Sequence, residues 1–78
     1  MIHIAFGNYI EREKIVAVAT PKGAPILRAV RTARQNDLII DMTQGRKTKA
    51  IIFTVGGYII LTALAPETIN KRLNKSNI

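Results

Sequence analysis

Apolar and polar residues alternate in short runs along this 78-residue chain, a pattern typical of a domain rich in β-strands. Ile2, Ile4 and Phe6 occupy alternate positions and predict a first strand with one face inward. The apolar segments 15–20 and 38–43 predict the second and third strands. Between the first two strands the chain is expected to be irregular.

That irregular connection begins at Gly7-Asn8, which interrupts the alternation. The charged run Glu11-Arg12-Glu13 follows and is expected to be solvated. Pro21-Lys22-Gly23 ends the second strand.

A helical period replaces the alternation after the second strand. Ile26, Val30 and Ala33 fall on one stripe with i, i+4, i+7 spacing. Pro25 suits the first turn of a helix, and Asn36-Asp37 suits its end.

Residues 50–66 carry no charge, which raises the question of a membrane span. A spanning helix needs about 20 apolar residues, and Gly56-Gly57 interrupts this segment at its middle. The halves, 50–55 and 58–63, are rich in β-branched and aromatic residues, and glycine accepts the positive φ of a type I′ turn. The segment is therefore predicted to be a buried hairpin that supplies the fourth and fifth strands.

A short final helix is predicted to open at Pro66-Glu67-Thr68, with Lys71, Arg72 and Lys75 near its negative end. The predicted order is β-β-α-β-β-β-α. This is an α+β fold with a small, mostly antiparallel sheet and two helices, forming a single domain over residues 1–78.

The composition shows a high net positive charge and a high fraction of hydrophobic residues. Twelve Lys and Arg against five Asp and Glu give a net charge of +7, which favours a polyanionic partner. The chain is 47% hydrophobic, so apolar surface is expected to remain for a partner, most simply another copy of itself. It has no cysteine and its N-terminus does not resemble a signal peptide, both of which agree with a cytoplasmic protein.

The strongest candidate site is the turn Thr43–Lys49, which carries Arg46, Lys47 and Lys49 beside a glycine. The apolar strand that follows is expected to anchor the turn while its cations stay in water. Cations held on a rigid loop suit a regularly spaced anion such as a nucleic-acid backbone. The alternative is an ordinary surface turn with solubilising charge.

Further cations could extend this site. Lys14 precedes a strand, as the cations of the turn do, and would join them if the two strand starts lie close together. Arg28 lies nearest the positive end of its helix and is a weaker addition. Arg31, Arg34 and Lys22 are left open, since the arginines also suit the solvated face of an amphipathic helix.

Enzymatic readings find little support, so no catalytic residue, cofactor, metal or small-molecule substrate is predicted. His3 is the only histidine and is expected to be an exposed strand residue. Five scattered carboxylates form no metal-binding pattern, and Asp41 is interpreted as a local partner for Arg46 or for backbone N–H groups. Gly45-Arg46-Lys47-Thr48 lacks the glycine spacing of a phosphate-binding loop and leads into a strand.

Contact with the backbone of duplex DNA is the mode of nucleic-acid binding that remains. Three strands separate the two helices, which argues against a helix-turn-helix. The four aromatic residues are mostly expected to point inward, which argues against a stacking platform for single strands. An RNA-binding regulator, or a scaffold for an acidic protein or membrane surface, remains an alternative.

Five spaced motifs resemble those of the RemA-like regulators, also called extracellular matrix regulatory proteins, over about residues 2–73. They are Phe6-Gly7-Asn8, Ala24-Pro25-Ile26-x-Arg28, Ile40-Asp41 before Thr43, Gly45-Arg46-Lys47-Thr48-Lys49-Ala50, and Pro66-Glu67-Thr68.

The resemblance implies a DNA-binding transcriptional regulator that activates biofilm-matrix operons. It also implies a LytTR-like fold and a ring, typically an octamer, with DNA wrapped on its outer flank in the bacterial cytoplasm. The family's functional cations correspond to Arg46, Lys47 and Lys14, and Lys49 takes the place of the last arginine of the basic motif. Lysine replaces the usual arginine at 14, 47 and 49, which keeps the charge but loses the planar fork.

Overall fold

The computed structural model describes residues 1–5 and 7–74, with the side chain of Ala5 left aside. The strands are β1 (Ile2–Ala5), β2 (Asn8–Ile10), β3 (Ile15–Ala19), β4 (Ile39–Asp41), β5 (Ala50–Thr54) and β6 (Ile59–Thr62). The helices are α1 (Ala24–Gln35) and α2 (Pro66–Asn74), and short 3₁₀ turns occur at Arg12–Lys14 and Val55–Gly57. The α+β class is confirmed, and the order is β-β-β-α-β-β-β-α.

The predicted order lacked one strand, β2. The sequence predicts an irregular connection at this segment, and the structure shows that this prediction is wrong. β2 pairs antiparallel with β1, with Ile2 opposite Ile10 and His3 opposite Tyr9. Three residues are too few to display an alternating pattern, so the pairing with β1 and the packing of Ile10 against the core define this strand.

The other four strands form a separate sheet in the order β3-β5-β6-β4. β5 pairs antiparallel with β3 and with β6, whereas β4 pairs parallel with β6. The sheet is therefore mostly antiparallel, as predicted, but residues 1–5 and 7–74 form two sheets rather than one.

The hairpin predicted from the uncharged segment is confirmed as β5 and β6. Gly56 and Gly57 have φ angles of 83° and 87°, which only glycine adopts easily. Thr54 N donates to the Tyr58 carbonyl at 3.0 Å, so the connection holds the three residues Val55–Gly57 rather than the glycine pair alone. Within the described residues, no helix is long and apolar enough to cross a membrane.

Helix α1 covers one face of the four-stranded sheet. The predicted stripe of Ile26, Val30 and Ala33 packs against Ile51 and the neighbouring apolar residues of β6. The stripe prediction is confirmed, because each of these three side chains is buried or half-buried.

The other face is covered by α2 and by the β1–β2 ribbon. Ile2 and Ile4 of β1 and Ile69 of α2 pack there against Ile52 and Ile60 of the sheet. The two helices thus lie on opposite faces, which is incompatible with a helix-turn-helix.

A buried threonine connects the two sheets. Thr62 of β6 is fully buried, and its Oγ1 donates to the carbonyl of Ile4 at 2.6 Å while accepting from Leu64 N at 3.2 Å. The hydroxyl is therefore satisfied in both roles, as a buried polar group must be.

The expectation that most aromatic side chains point inward is wrong for the tyrosines. Tyr9 is 55% exposed and Tyr58 is 47% exposed, whereas Phe53 is half-buried and Phe6 lies outside the described residues. Tyr9 lies on a two-stranded ribbon and Tyr58 beside a turn, where alternation does not decide which face is covered.

Candidate nucleic-acid interface

The basic loop, defined here as residues 42–49 between β4 and β5, is attached to one central strand at both ends. Met42 N donates to the Leu61 carbonyl at 2.9 Å, and Lys49 N donates to the Thr62 carbonyl at 2.9 Å. Leu61 and Thr62 are consecutive residues of β6 and are both buried. The loop is therefore anchored to the rigid centre of the sheet, as the sequence predicted.

A tight turn forms the tip of the loop. Arg46 N donates to the Thr43 carbonyl at 3.1 Å, and the two residues between them, Gln44 and Gly45, have φ angles of 52° and 82°. Two successive positive φ angles are characteristic of a type I′ turn. This turn explains why a glycine precedes the three cations.

Asp41 and Thr43 hold the entry to this turn. Asp41 Oδ1 accepts from Thr43 N at 2.9 Å and from Thr43 Oγ1 at 2.6 Å, and Thr43 is only 4% exposed. Hydrogen bonds from the Thr43 hydroxyl and then from its backbone N–H, together with the nearby charge of Arg34, lower the pKa of Asp41 below its ordinary value. The interpretation of Asp41 as a partner for backbone N–H groups is confirmed.

The three cations of the loop face solvent. Arg46, Lys47 and Lys49 are exposed, whereas Thr48 is half-buried and Ala50, which begins β5, is fully buried. The anchored loop thus presents three exposed basic side chains, and that arrangement suits contact with phosphates along a polymer.

Lys14 lies at the other end of the sheet from this loop. Ile15, which follows it, pairs with Thr54 at the end of β5, whereas the loop joins β5 at Ala50. Ala50 and Thr54 are about 13 Å apart along the strand at roughly 3.3 Å per residue. Within one subunit the structure does not bring Lys14 together with the cations of the loop.

Arg28 is also separated from the basic loop. It lines an open groove of about 400 Å³ together with Leu38 and Gly57, which lie near the start of β4 and of β6. The loop follows the opposite end of β4. Arg28 and Arg31 are exposed on α1, as is Arg34, whose charge reaches Asp41.

Nearly the whole sequence matches the model of a protein family. The match covers residues 1–73, and the family is described as extracellular matrix regulatory protein A-like, or RemA-like. The chain belongs to the RemA-like family. The resemblance stated from the five motifs is therefore confirmed.

Named relatives support this assignment over nearly the full chain. A candidate regulatory protein of Dehalococcoides mccartyi strain BAV1 is 50% identical over 97% of this chain and 79% of its own length. A candidate regulatory protein of Alkaliphilus metalliredigens is 44% identical over 99% of this chain and 83% of its own length. A candidate regulatory protein of Halothermothrix orenii is 42% identical over 95% of this chain and 88% of its own length. The RemA-like chain is thus a bacterial regulatory protein.

Lys22 lies closer to the basic loop of this RemA-like protein than the sequence could indicate. It follows β3, whose last residue, Ala19, pairs with Ile51 near the loop end of β5. The direction of β3 relative to β5 therefore decides which cations share an end of the sheet. The spacing of charged residues along the sequence does not indicate the direction of β3 relative to β5.

His3 and Arg12 were both predicted to be exposed, and both predictions are wrong. His3 is half-buried, with Arg72 Nη1 3.1 Å from its Nδ1 and Gly7 N donating to its Nε2 at 3.1 Å. Arg12 is also half-buried and donates from Nη2 to the Arg72 carbonyl at 3.4 Å. These contacts connect the β1–β2 ribbon to α2, so His3 has a structural role.

Metal binding finds no support in the part of the RemA-like chain that the structure describes. No three His, Asp or Glu side chains there come close enough together to hold a metal ion. Glu11 and Glu13 are exposed, as predicted.

Proposed function

We propose that this RemA-like protein is an oligomeric transcriptional regulator that binds the phosphates of duplex DNA through Arg46, Lys47 and Lys49. The observation that carries the proposal is the attachment of the basic loop to Leu61 and Thr62 at its two ends. Because the backbone is fixed before binding, little conformational entropy is lost when the loop meets DNA.

Self-association is part of the proposed mechanism. Three phosphate contacts in one subunit give weak binding at cellular salt concentrations. A ring of subunits, octameric by resemblance to the family, applies the same loop repeatedly along one DNA segment, and linked contacts gain far more than their separate affinities. DNA wrapped on the outer flank of such a ring pays several kcal/mol for bending, which favours flexible or curved sequences.

The biological role follows from the family. A regulatory protein that wraps DNA acts on promoters, and the resemblance points to the activation of genes for the biofilm matrix, in the cytoplasm where the chromosome lies. Lys14 and Arg28 are secondary members of the proposed DNA contact, since neither is close to the loop within one subunit.

Single-stranded RNA is the alternative that one observation favours. Tyr9 and Tyr58 are exposed, and exposed aromatic rings can stack on unpaired bases. Tyr58 follows the Val55–Gly57 turn, however, at the end of β5 away from the basic loop. The Tyr58 ring and the cations therefore do not form one continuous platform, and duplex DNA is the better-supported ligand.

Fluorescence anisotropy with a labelled duplex of about 30 base pairs tests the proposal. The double variant Arg46→Ala/Lys47→Ala should lose at least about tenfold in affinity, while light scattering shows an unchanged mass. Arg31→Ala/Lys71→Ala is the matched control, because it removes the same charge from exposed positions on the two helices. Equal losses in the two variants would show that net charge, not the loop, binds DNA. Stronger competition by single-stranded RNA of equal length would instead favour the alternative.

A further inference from the structure

The two outer strands of the four-stranded sheet, β3 and β4, each have a strand neighbour on one side only among the described residues. An unpaired strand edge offers main-chain N–H and C=O groups to another chain. Proteins that stay monomeric usually guard such edges with lysine, proline or a bulge. Whether β3 and β4 carry such features therefore indicates whether these edges can pair with another chain.

The edge of β3 has little protection. The strand reads Ile15-Val16-Ala17-Val18-Ala19 and contains no charge. A bulge between Ile15 and Ala17 makes the start of the strand irregular and leaves Val16 66% exposed. Beyond it, residues 17–19 pair regularly with β5, so three residues of uncharged edge remain available.

The edge of β4 is also three residues long and mostly apolar, like residues 17–19 of β3. β4 is the three-residue strand Ile39–Asp41, and its Ile40 is 38% exposed although it belongs to the sheet. Asp41 is the only charge on this edge, and its Oδ1 is already engaged by Thr43.

Strand direction makes the two edges compatible. β3 is antiparallel to β5, β5 is antiparallel to β6, and β6 is parallel to β4. β3 and β4 consequently run in the same direction. If β4 of one copy pairs with β3 of the next, the pairing is parallel, and every copy keeps its basic loop at the same end of a continuous sheet.

Side-chain rows across the sheet favour one register for that pairing. Val18 lies opposite Ile52, Ile52 opposite Ile60, and Ile60 opposite Ile40, so all four side chains share one face. Placing Ile40 of one copy beside Val18 of the next continues this apolar row across the subunit boundary. A slip of one residue would turn the row to the opposite face.

Charges of opposite sign precede the two edge strands. Lys14 comes directly before β3, whereas Asp37 comes two positions before β4. In parallel pairing the start of β3 meets the start of β4, which brings Lys14 of one copy close to Asp37 of the next. Complementary charges of this kind favour correct orientation of the partners.

We propose that copies of this chain associate through parallel pairing of β4 with β3 of the next copy, in the register that places Ile40 beside Val18. The inference rests on the self-association in the proposed function and names the surfaces that perform it. Because two different surfaces meet, the contact is heterologous, and repeating it closes a ring when the rotation between copies allows.

Cysteine cross-linking tests this pairing directly, since the chain has no native cysteine to interfere. Under oxidation, the double variant Val18→Cys/Ile40→Cys should give a ladder of covalent oligomers on a non-reducing gel. Each single variant alone should remain monomeric on that gel, and an equimolar mixture of the two should stop at dimers. A single variant that cross-links to itself would show a symmetric contact instead and would overturn the proposal.

A charge placed at the edge provides a second test that does not depend on disulfide geometry. Val16→Glu should reduce the mass in light scattering to that of the monomer, because the carboxylate would meet Asp37 of the next copy. Val55→Glu is the matched control, an equal change at an exposed residue of the β5–β6 turn, and should assemble normally. Assembly of both variants alike would overturn the proposal.

The outcomes separate this inference from the proposed function. A wild-type protein that assembles and binds duplex DNA, but whose double-cysteine variant gives no ladder, would refute the edge pairing alone. A wild-type protein that is monomeric at all concentrations would refute self-association and the edge pairing together.

Discussion

Arg72 joins the end of the fold to its beginning, because its Nη1 donates to the carbonyl of His3 at 2.6 Å across 69 positions of sequence. The same nitrogen lies 3.1 Å from His3 Nδ1, and Arg12 donates to the Arg72 carbonyl at 3.4 Å. Arg72 of α2 therefore holds β1 through its side chain and the connection that leads to β3 through its backbone carbonyl.

Replacing Arg72 should destabilise the protein more than replacing its neighbour. Arg72→Leu keeps an apolar side chain but removes the donor to His3, and it should lower the free energy of unfolding by about 1–2 kcal/mol. Lys71→Leu is the control, because Lys71 is exposed on the same helix. Urea titrations at one protein concentration measure both variants, and equal losses would mean that α2 is not held through this contact.

Thr62 should be sensitive to loss of its hydroxyl, although valine has almost the same shape. Thr62→Val leaves the carbonyl of Ile4 and the N–H of Leu64 without their buried partner. The expected cost is about 1–3 kcal/mol in urea unfolding, whereas Thr62→Ser, which keeps the hydroxyl, should cost less. A serine variant less stable than the valine variant would show that the methyl group, not the hydrogen bonds, matters at this site.

The features that sequence predicted best are those set by local pattern. The stripe on α1 is visible because its residues are close in sequence and share one buried face. The β5–β6 hairpin is visible because two apolar runs flank Gly56-Gly57. Both patterns show which side chains are buried, and they do so without depending on the identity of the neighbouring element.

The features that sequence missed depend on partners far along the chain. β2 is defined by its pairing with β1, and His3 and Arg12 are covered because α2 brings Arg72 against them. A polar side chain looks exposed in sequence whether or not a distant helix covers it.

The candidate site divides in the same way. Arg46, Lys47 and Lys49 share one loop, so sequence alone could group them. Grouping Lys14 with them required the order and direction of β3 and β5, and the observed register places it at the other end of the sheet. The Asp41–Thr43 contact could be anticipated because the two residues are only two positions apart.

Stability should depend on the ionisation of Asp41 in acid. Its pKa in the folded protein is lowered from 3.8, mainly by the Thr43 hydroxyl and backbone N–H. A lowered pKa means that the stabilisation is fully present above about pH 4 and is lost as the pH falls through the folded-state value. The difference in unfolding free energy between wild type and Asp41→Asn should therefore shrink below pH 4. A difference that stays constant from pH 7 to pH 3 would contradict this assignment.

Gly45 should be needed for its backbone conformation rather than for space. Its φ angle is 82°, and no heavy atom outside residues 44–46 lies within 4 Å of the position that a Cβ would occupy. Gly45→Ala should therefore cost about 1 kcal/mol through backbone strain, and Gly45→Asn should cost less, because asparagine adopts positive φ more readily. Thermal unfolding gives this ranking, and anisotropy should show the same order of DNA affinity. An alanine variant as stable as wild type would mean that the turn adapts without strain.

The salt dependence of DNA affinity should give the number of phosphates that the cations of the loop contact. Each phosphate that a cation neutralises adds about 0.9 to the slope of log affinity against log salt, because counterions are released from the DNA. Lys49→Ala should therefore reduce the slope by about 0.9 for each subunit that touches the duplex. Arg31→Ala, which removes an exposed charge from α1, should leave the slope unchanged. If Lys49→Ala lowered the affinity at every salt concentration without changing the slope, Lys49 would shape the loop rather than contact a phosphate.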